Sequence, residues 1–210
     1  MRRFTFDVLT STVGLLLAAI LLLAGALGLW GYTFVNNQVT TQLTEQKIFF
    51  PTTSNPEFKA LPPGDQAAMR PYAGQQMTNG DQAQVYANNF IAYHLILVAG
   101  GKTYAQVSME ALANPTNPTL TKQAATLFQG TTLRGLLLNA YAFGTIATIL
   151  LIASICALVV GFVVLILSIL GFIHSRRVPA EIEVLRPRPS AVREPLHRLL
   201  NAATGHRVPQ

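Results

Sequence analysis

Few residues in this chain combine the types and spacing that chemistry requires. His94 sits in an apolar stretch behind Tyr93, and the other histidines (His174, His197 and His206) fall at or beyond the end of the last hydrophobic run. A metal centre needs three or four ligands, so His94 has no candidate co-ligand before that run ends. Gly101-Lys102-Thr103 matches the end of a phosphate-binding loop, but the upstream glycine of that motif would fall at Ile96. The two glycines are better read as a helix stop, with Lys102 as a solvated charge near the last carbonyls. Asp81 and Glu110 stand alone, and Glu57 and Asp65 lie in a proline-rich stretch without a partner. The single cysteine, Cys156, is embedded in an apolar run, where it fills space against lipid or a neighbouring helix and cannot form an intrachain disulfide. No catalytic residue, cofactor or metal site is therefore expected, and the chain reads as a non-enzyme.

The elements that would position these residues are dominated by two hydrophobic stretches. Of 210 residues, 50% are hydrophobic and only 11% charged, against about 25% charged in an ordinary soluble domain. Residues 9–33 form a first candidate span, ending in Trp30, Tyr32 and Phe34. About 24 residues rise about 36 Å as a helix, enough to cross a hydrocarbon core of about 30 Å. The run continues past Ala24-Gly25-Ala26, which argues for an anchor rather than a cleaved signal. Residues 136–173 would rise about 57 Å, too long for one crossing. The middle of that run offers Ser154 but no proline or glycine for a turn, so it reads as one helix with an outer stalk and a span at about 149–172.

Charge sets the orientation. Arg2 and Arg3 precede the first span, and His174, Arg176 and Arg177 follow the second. The tail 174–210 holds seven arginines against Glu181, Glu183 and Glu194, whereas the six basic and five acidic residues of 34–135 nearly cancel. The positive-inside rule then places both termini in the cytoplasm and residues about 34–148 outside the plasma membrane. The +6 formal charge belongs to a membrane surface rather than to nucleic acid. Neither span carries Asp, Glu, Lys or Arg in its core, which disfavours a stand-alone transporter or proton channel.

The fold expected is an all-α membrane protein, two transmembrane helices with a mostly helical extracytoplasmic domain (34–135) built on their extensions. Val35, Val39 and Leu43 carry the first helix on to about Gln46. An irregular loop follows over 51–80, broken by five prolines. Asn79-Gly80-Asp81 starts an apolar helix of about 18 residues closed by Gly100-Gly101. Thr103 and Gln106 form a capping box for a short helix over 104–112. The last helix starts near Thr119, with Gly130 and Gly135 as places to bend. The expected core packs Phe90, Ile91, Leu95 and Val98 against Val39, Leu127, Phe128 and Leu136. Small residues four apart, Gly14 and Ala18, Ala24 and Gly28, and Ala140 and Gly144, are candidates for close helix packing within the chain or against another subunit. Phe49, Phe50, Tyr93 and His94 form a candidate outer contact surface. The tail reads as basic, proline-rich and largely disordered, with a short amphipathic patch at Leu196, Leu199 and Leu200.

Four strings carry a resemblance: Leu43-Thr-Glu-Gln-Lys-Ile-Phe-Phe-Pro51, Tyr86 to His94, Ala99-Gly-Gly-Lys-Thr-Tyr-Ala105, and Leu133-Arg-Gly-Leu136. Together they resemble a group of actinobacterial two-span integral membrane proteins of unknown function, over most of residues 9–173. Some of these carry the label of aromatic ring-opening dioxygenase, a chemistry that needs iron on two histidines and a carboxylate. His94 alone does not supply that set. The resemblance thus implies host and topology but no activity. Two functional expectations follow. The chain is an accessory or structural subunit of a larger cell-envelope complex, with lipids and other membrane subunits or a second copy as partners. Alternatively, it is an extracytoplasmic module that binds lipid, cell-wall material or a small ligand near Phe49, Phe50, Tyr93 and His94.

Overall fold

The computed structural model describes residues 3–177, with side chains from Phe6 onward. The expectations for the tail beyond Arg177 lie outside the described residues. Every named element is helical, and no strand occurs among the described residues. Two helices are long and apolar enough to cross a membrane. The first, α1 (Arg3–Glu45), has 43 residues, and the last, α7 (Pro118–Ser175), has 58.

The helix α1 has no proline, and its four glycines (Gly14, Gly25, Gly28 and Gly31) sit where another helix or side chain comes close rather than where the chain turns. It ends at Lys47, which takes a left-handed φ of 53°. The freed Thr44 carbonyl accepts from the Lys47 N–H at 3.1 Å and from Gln76 Nε2 at 2.8 Å. The stretch expected to be an irregular loop contains two short helices, α2 (Pro56–Ala60) and α3 (Pro63–Met69), and a 3₁₀ turn at Arg70–Tyr72. Each helix starts with a proline in its first turn, where the missing N–H costs nothing. Asn55 caps α2 by accepting from the Glu57 N–H at 2.8 Å. The chain then doubles back. Phe49 bridges to Gln76, and Met77 N–H donates to Ile48 O at 2.8 Å.

A helical rod follows, made of α4 (Gly80–Val85), a π turn over Tyr86–Ile91, and α5 (Ala92–Ala99). Asn79 caps its start, and Gly100 closes it with φ 58°. The short helix α6 (Tyr104–Ala113) carries the reciprocal Thr103–Gln106 capping box. The helix α7 then runs unbroken through Gly130 and Gly135. The expected bends are absent; Gly130 instead seats Leu95, while Gly135 faces open space.

The chain divides into two units: residues up to Leu17 with those from Val163, and Ala18–Phe162. In the larger unit a core forms around Phe58, Met69, Met77 and Leu137, joined by Val39 and Leu43 from α1 and Ile91 from the rod. The expected core differs in the phase of α7. Leu137 is buried, while Leu136 and Phe128 are exposed, and Val98 is partly exposed at the rod's end. A second, smaller cluster holds Ala99, Val107 and Leu127. In the same unit α1 and α7 run antiparallel at close range, with Gly28 facing Ser154 and Gly31 facing Leu150. Ala147, Ser154 and Gly161 are buried at seven-residue intervals, and on α1 Ala18 and Gly25 keep the same step, with Val39 two steps further on and the half-buried Tyr32 between. In the smaller unit, Gly14 meets Ser168 and Gly171 meets Ser11.

Candidate functional site: a groove beside a π turn

The rod between α4 and α5 is set by its unusual middle. Asn88 and Asn89 are poor helix formers, and over Tyr86–Ile91 the backbone widens to a π turn. Two polar contacts hold it. Arg134 on α7 donates from Nε to Ala87 O at 3.3 Å and from Nη2 to Asn88 Oδ1 at 2.8 Å. Asn89 Nδ2 donates to Asp65 Oδ1 at 2.8 Å, so Asp65 has a partner after all. At the rod's far end, Gln123 Nε2 donates to Val98 O.

On one face of this rod the aromatic rings form a ladder. Tyr72 and Phe50 lie 5.4 Å apart, Phe50 and Tyr86 5.3 Å, Tyr86 and Phe90 4.9 Å, and Phe90 and His94 4.3 Å between centroids. Tyr93 meets His94 edge-on at 5.6 Å. Between the ladder's end and α7 lies a groove of about 380 Å³. Tyr86, Phe90, His94 and Leu95 form one wall, and Thr126, Gln129, Gly130 and Leu133 form the other. A methyl group at Gly130 would strike the end of the Leu95 side chain, so the glycine sets how closely the walls approach.

Electrostatically the groove is mild. His94 Nδ1 lies 2.7 Å from Phe90 O. A carbonyl can only accept, so Nδ1 carries a proton in this contact. Burial, and secondarily the negative charge of Glu57, push the Tyr86 phenol above its ordinary value of 10.0. Tyr86 therefore stays a neutral donor through the physiological range. No carboxylate, cysteine or second histidine lines the groove. Its chemistry is that of an apolar slot with a few polar groups (His94, Gln129, Thr126 and the Tyr86 phenol).

The four residues expected to share an outer contact surface separate. Phe49 is 56% exposed, while Phe50 is 2% exposed and belongs to the core. Tyr93 donates its hydroxyl to Ala60 O at 2.9 Å, fastening α5 to the end of α2. Only His94 of the four lines the groove. The small-residue candidates also take different places. Gly14 and Gly28 face serines of α7, and Ala18 is fully buried. Gly144 packs against Gly80 at the start of the rod, where a methyl group on Gly80 would lie 3.0 Å from Ala140 O. Ala140 belongs to the same contact, and Ala24 is exposed. Lys102, read as a solvated charge, is half-exposed and pairs at the surface with Glu110 at 2.7 Å. Cys156 is exposed. Among the described residues no three of His, Cys, Asp and Glu converge.

Sequence reasoning missed Arg134 and the Asn88-Asn89 pair. The available signal was a lone arginine between apolar residues, together with two asparagines in the middle of a helix. No protein-family model matches the chain, and comparison with curated proteins and with solved structures finds no significant match.

Proposed function

We propose that this chain is a two-span plasma-membrane protein, both termini cytoplasmic, that serves as a non-enzymatic subunit of a larger cell-envelope assembly. In this reading α1 and α7 cross the bilayer and the residues between them stand outside. Support for the crossing comes from the two long apolar helices, the stacked Trp30–Phe34 pair with rings 5.8 Å apart, and the His174-Arg176-Arg177 cluster at the other end.

One observation carries the subunit reading. Around α5 and α6, well before the expected second span, Ile96, Leu97, Tyr104, Met109, Leu112 and Phe128 are exposed, Leu112 at 78%. Outside a bilayer, apolar side chains gathered in this way mark a surface that another molecule covers. Cross-linking in intact membranes followed by mild-detergent purification tests it. The expected result is a membrane partner held in fixed ratio and released by Leu112→Glu with Ile96→Glu. Recovery of the wild type as a bare monomer would overturn the reading.

The groove beside the π turn favours a second reading, an extracytoplasmic binding module for a slender apolar ligand with one hydrogen-bonding end. Gly130→Leu would fill the slot, and loss of a co-purifying small molecule in that variant would support this role. Identical ligand content in both proteins would count against it.

A further inference from the structure

We infer that the cleft between α1 and α7 in the smaller unit seats an aminophospholipid headgroup, with its ammonium on Asp7 and Ser11 and its phosphate on His174. This rests on the membrane reading above, since it takes the cleft to lie where the helices leave the bilayer.

The cleft has a volume of about 350 Å³ and an apolar floor that includes Phe6, Val164 and Leu167. Two glycines, Gly14 and Gly171, keep it open by withholding side chains beside Ser168 and Ser11. The hydroxyls here differ in a telling way. Thr10 donates to Phe6 O at 2.9 Å, Ser168 to Val164 O at 2.8 Å and Ser175 to Phe172 O at 2.9 Å. Such bonding to the preceding turn is how helical hydroxyls are satisfied in an apolar setting. Ser11 is only 6% exposed and lines the cleft, and its hydroxyl is not tied to the preceding turn among the described residues, so its oxygen stays accessible from the cleft. A hydroxyl open to the cleft in this way can donate to or accept from a ligand or water there.

Asp7 and His174 line the same cleft. They form no direct ion pair, the one pair among the described residues being Lys102–Glu110. An acid and an imidazole facing one cleft without touching fit a ligand carrying a cation at one end and an anion at the other. A primary ammonium donates to the Asp7 carboxylate and to the Ser11 oxygen, and a phosphate oxygen accepts from the His174 ring. Charge-assisted bonds of this kind are shorter and stronger than neutral ones. A choline headgroup has no N–H to donate. A glycerol headgroup brings no cation to Asp7. The floor residues then meet the glycerol backbone and the first acyl carbons.

The test uses the full chain in nanodiscs of equimolar phosphatidylethanolamine, phosphatidylcholine and phosphatidylglycerol, released into native mass spectrometry. The wild type is expected to retain phosphatidylethanolamine about tenfold over phosphatidylcholine. Asp7→Asn should abolish that preference, Ser11→Ala should weaken it, and Gly14→Leu should remove bound lipid altogether. Equal retention of the three lipids, a preference for phosphatidylglycerol, or a preference unchanged in Asp7→Asn would each overturn the inference. Carbonate extraction separates the two layers of the argument. A chain released from membranes defeats the membrane reading itself, while an integral chain without headgroup preference defeats only this site.

Discussion

The two long helices and the segment that joins them bury opposite kinds of residue. Where α1 meets α7, glycine, alanine and serine sit at the closest approaches, some against Leu22, Leu150 and Leu158, and large residues such as Leu27, Ile152 and Phe162 are exposed. In the segment around the rod, the interior is Phe58, Met69 and Met77. The difference is the one that the proposed membrane crossing calls for. In water, burying a large apolar side chain is the main driving force. Against lipid that force vanishes, and close backbone approach through small residues is what remains.

Substitutions can break this comparison, beginning with the largest effect. Phe58→Ala removes a side chain that is 2% exposed and should cost about 3–5 kcal/mol. Chemical unfolding followed by far-UV circular dichroism measures it. The matched change Leu27→Ala, on an exposed position of α1, should cost under about 0.5 kcal/mol. Equal costs would erase the contrast.

Next comes Gly28→Leu, which drives a side chain into Ser154 and should weaken the pairing of α1 and α7 by about 1–3 kcal/mol. Cysteines introduced at Gly31 and Leu150 would report it, since their disulfide yield should fall in the variant. An unchanged yield would mean that small residues do not set the approach of these helices.

Arg134→Met sharpens the picture within the segment. It takes the donor from Asn88 Oδ1 and one of two donors from the Ala87 carbonyl, which keeps the Ala92 N–H, at a cost of about 1–3 kcal/mol. Hydrogen exchange should rise over residues 86–91 and leave α6 unchanged. A uniform rise across the segment would show that Arg134 does not act on the π turn.

The smallest effect is on pH dependence. The folded Tyr86 holds its proton more tightly than the unfolded chain does. Its contribution is fully present below the ordinary tyrosine value and is lost as pH rises through the folded value. Stability should therefore decline above about pH 10, and less steeply in Tyr86→Phe. Parallel declines in the two proteins would assign the alkaline loss to other groups.

Much of the fold could be read from local signals. Asn79, the Thr103–Gln106 box and Gly100 act through their own backbone neighbours, so their sequence signatures carry over directly. Residues 51–80 were harder. Helices of five and seven residues are unstable alone, and α2 and α3 persist because Phe58, Leu61 and Met69 reach a shared core. The phase of α7 was illegible for a different reason. A helix that is apolar all round has no preferred face, and only its neighbours select Leu137 over Leu136. The same holds for the small residues, where a spacing of four flagged Ala24 but the pairing follows a step of seven. At the candidate site, His94 was visible as an isolated functional group. The groove around it was not, because its second wall comes from residues more than thirty positions away.

The place of Leu137 in the same cluster as Leu43 and Phe50 has a consequence for biosynthesis. The interior of the joining segment cannot close while the ribosome is still making it. Its last wall belongs to α7, more than ninety residues after Leu43. At about 5–20 residues per second, the first apolar helix waits roughly 5–20 s for its counterpart. During that interval Phe50, Phe58 and Met77 are uncovered. A chaperone acting on this protein would meet it in that window, before the second apolar helix arrives to finish the fold.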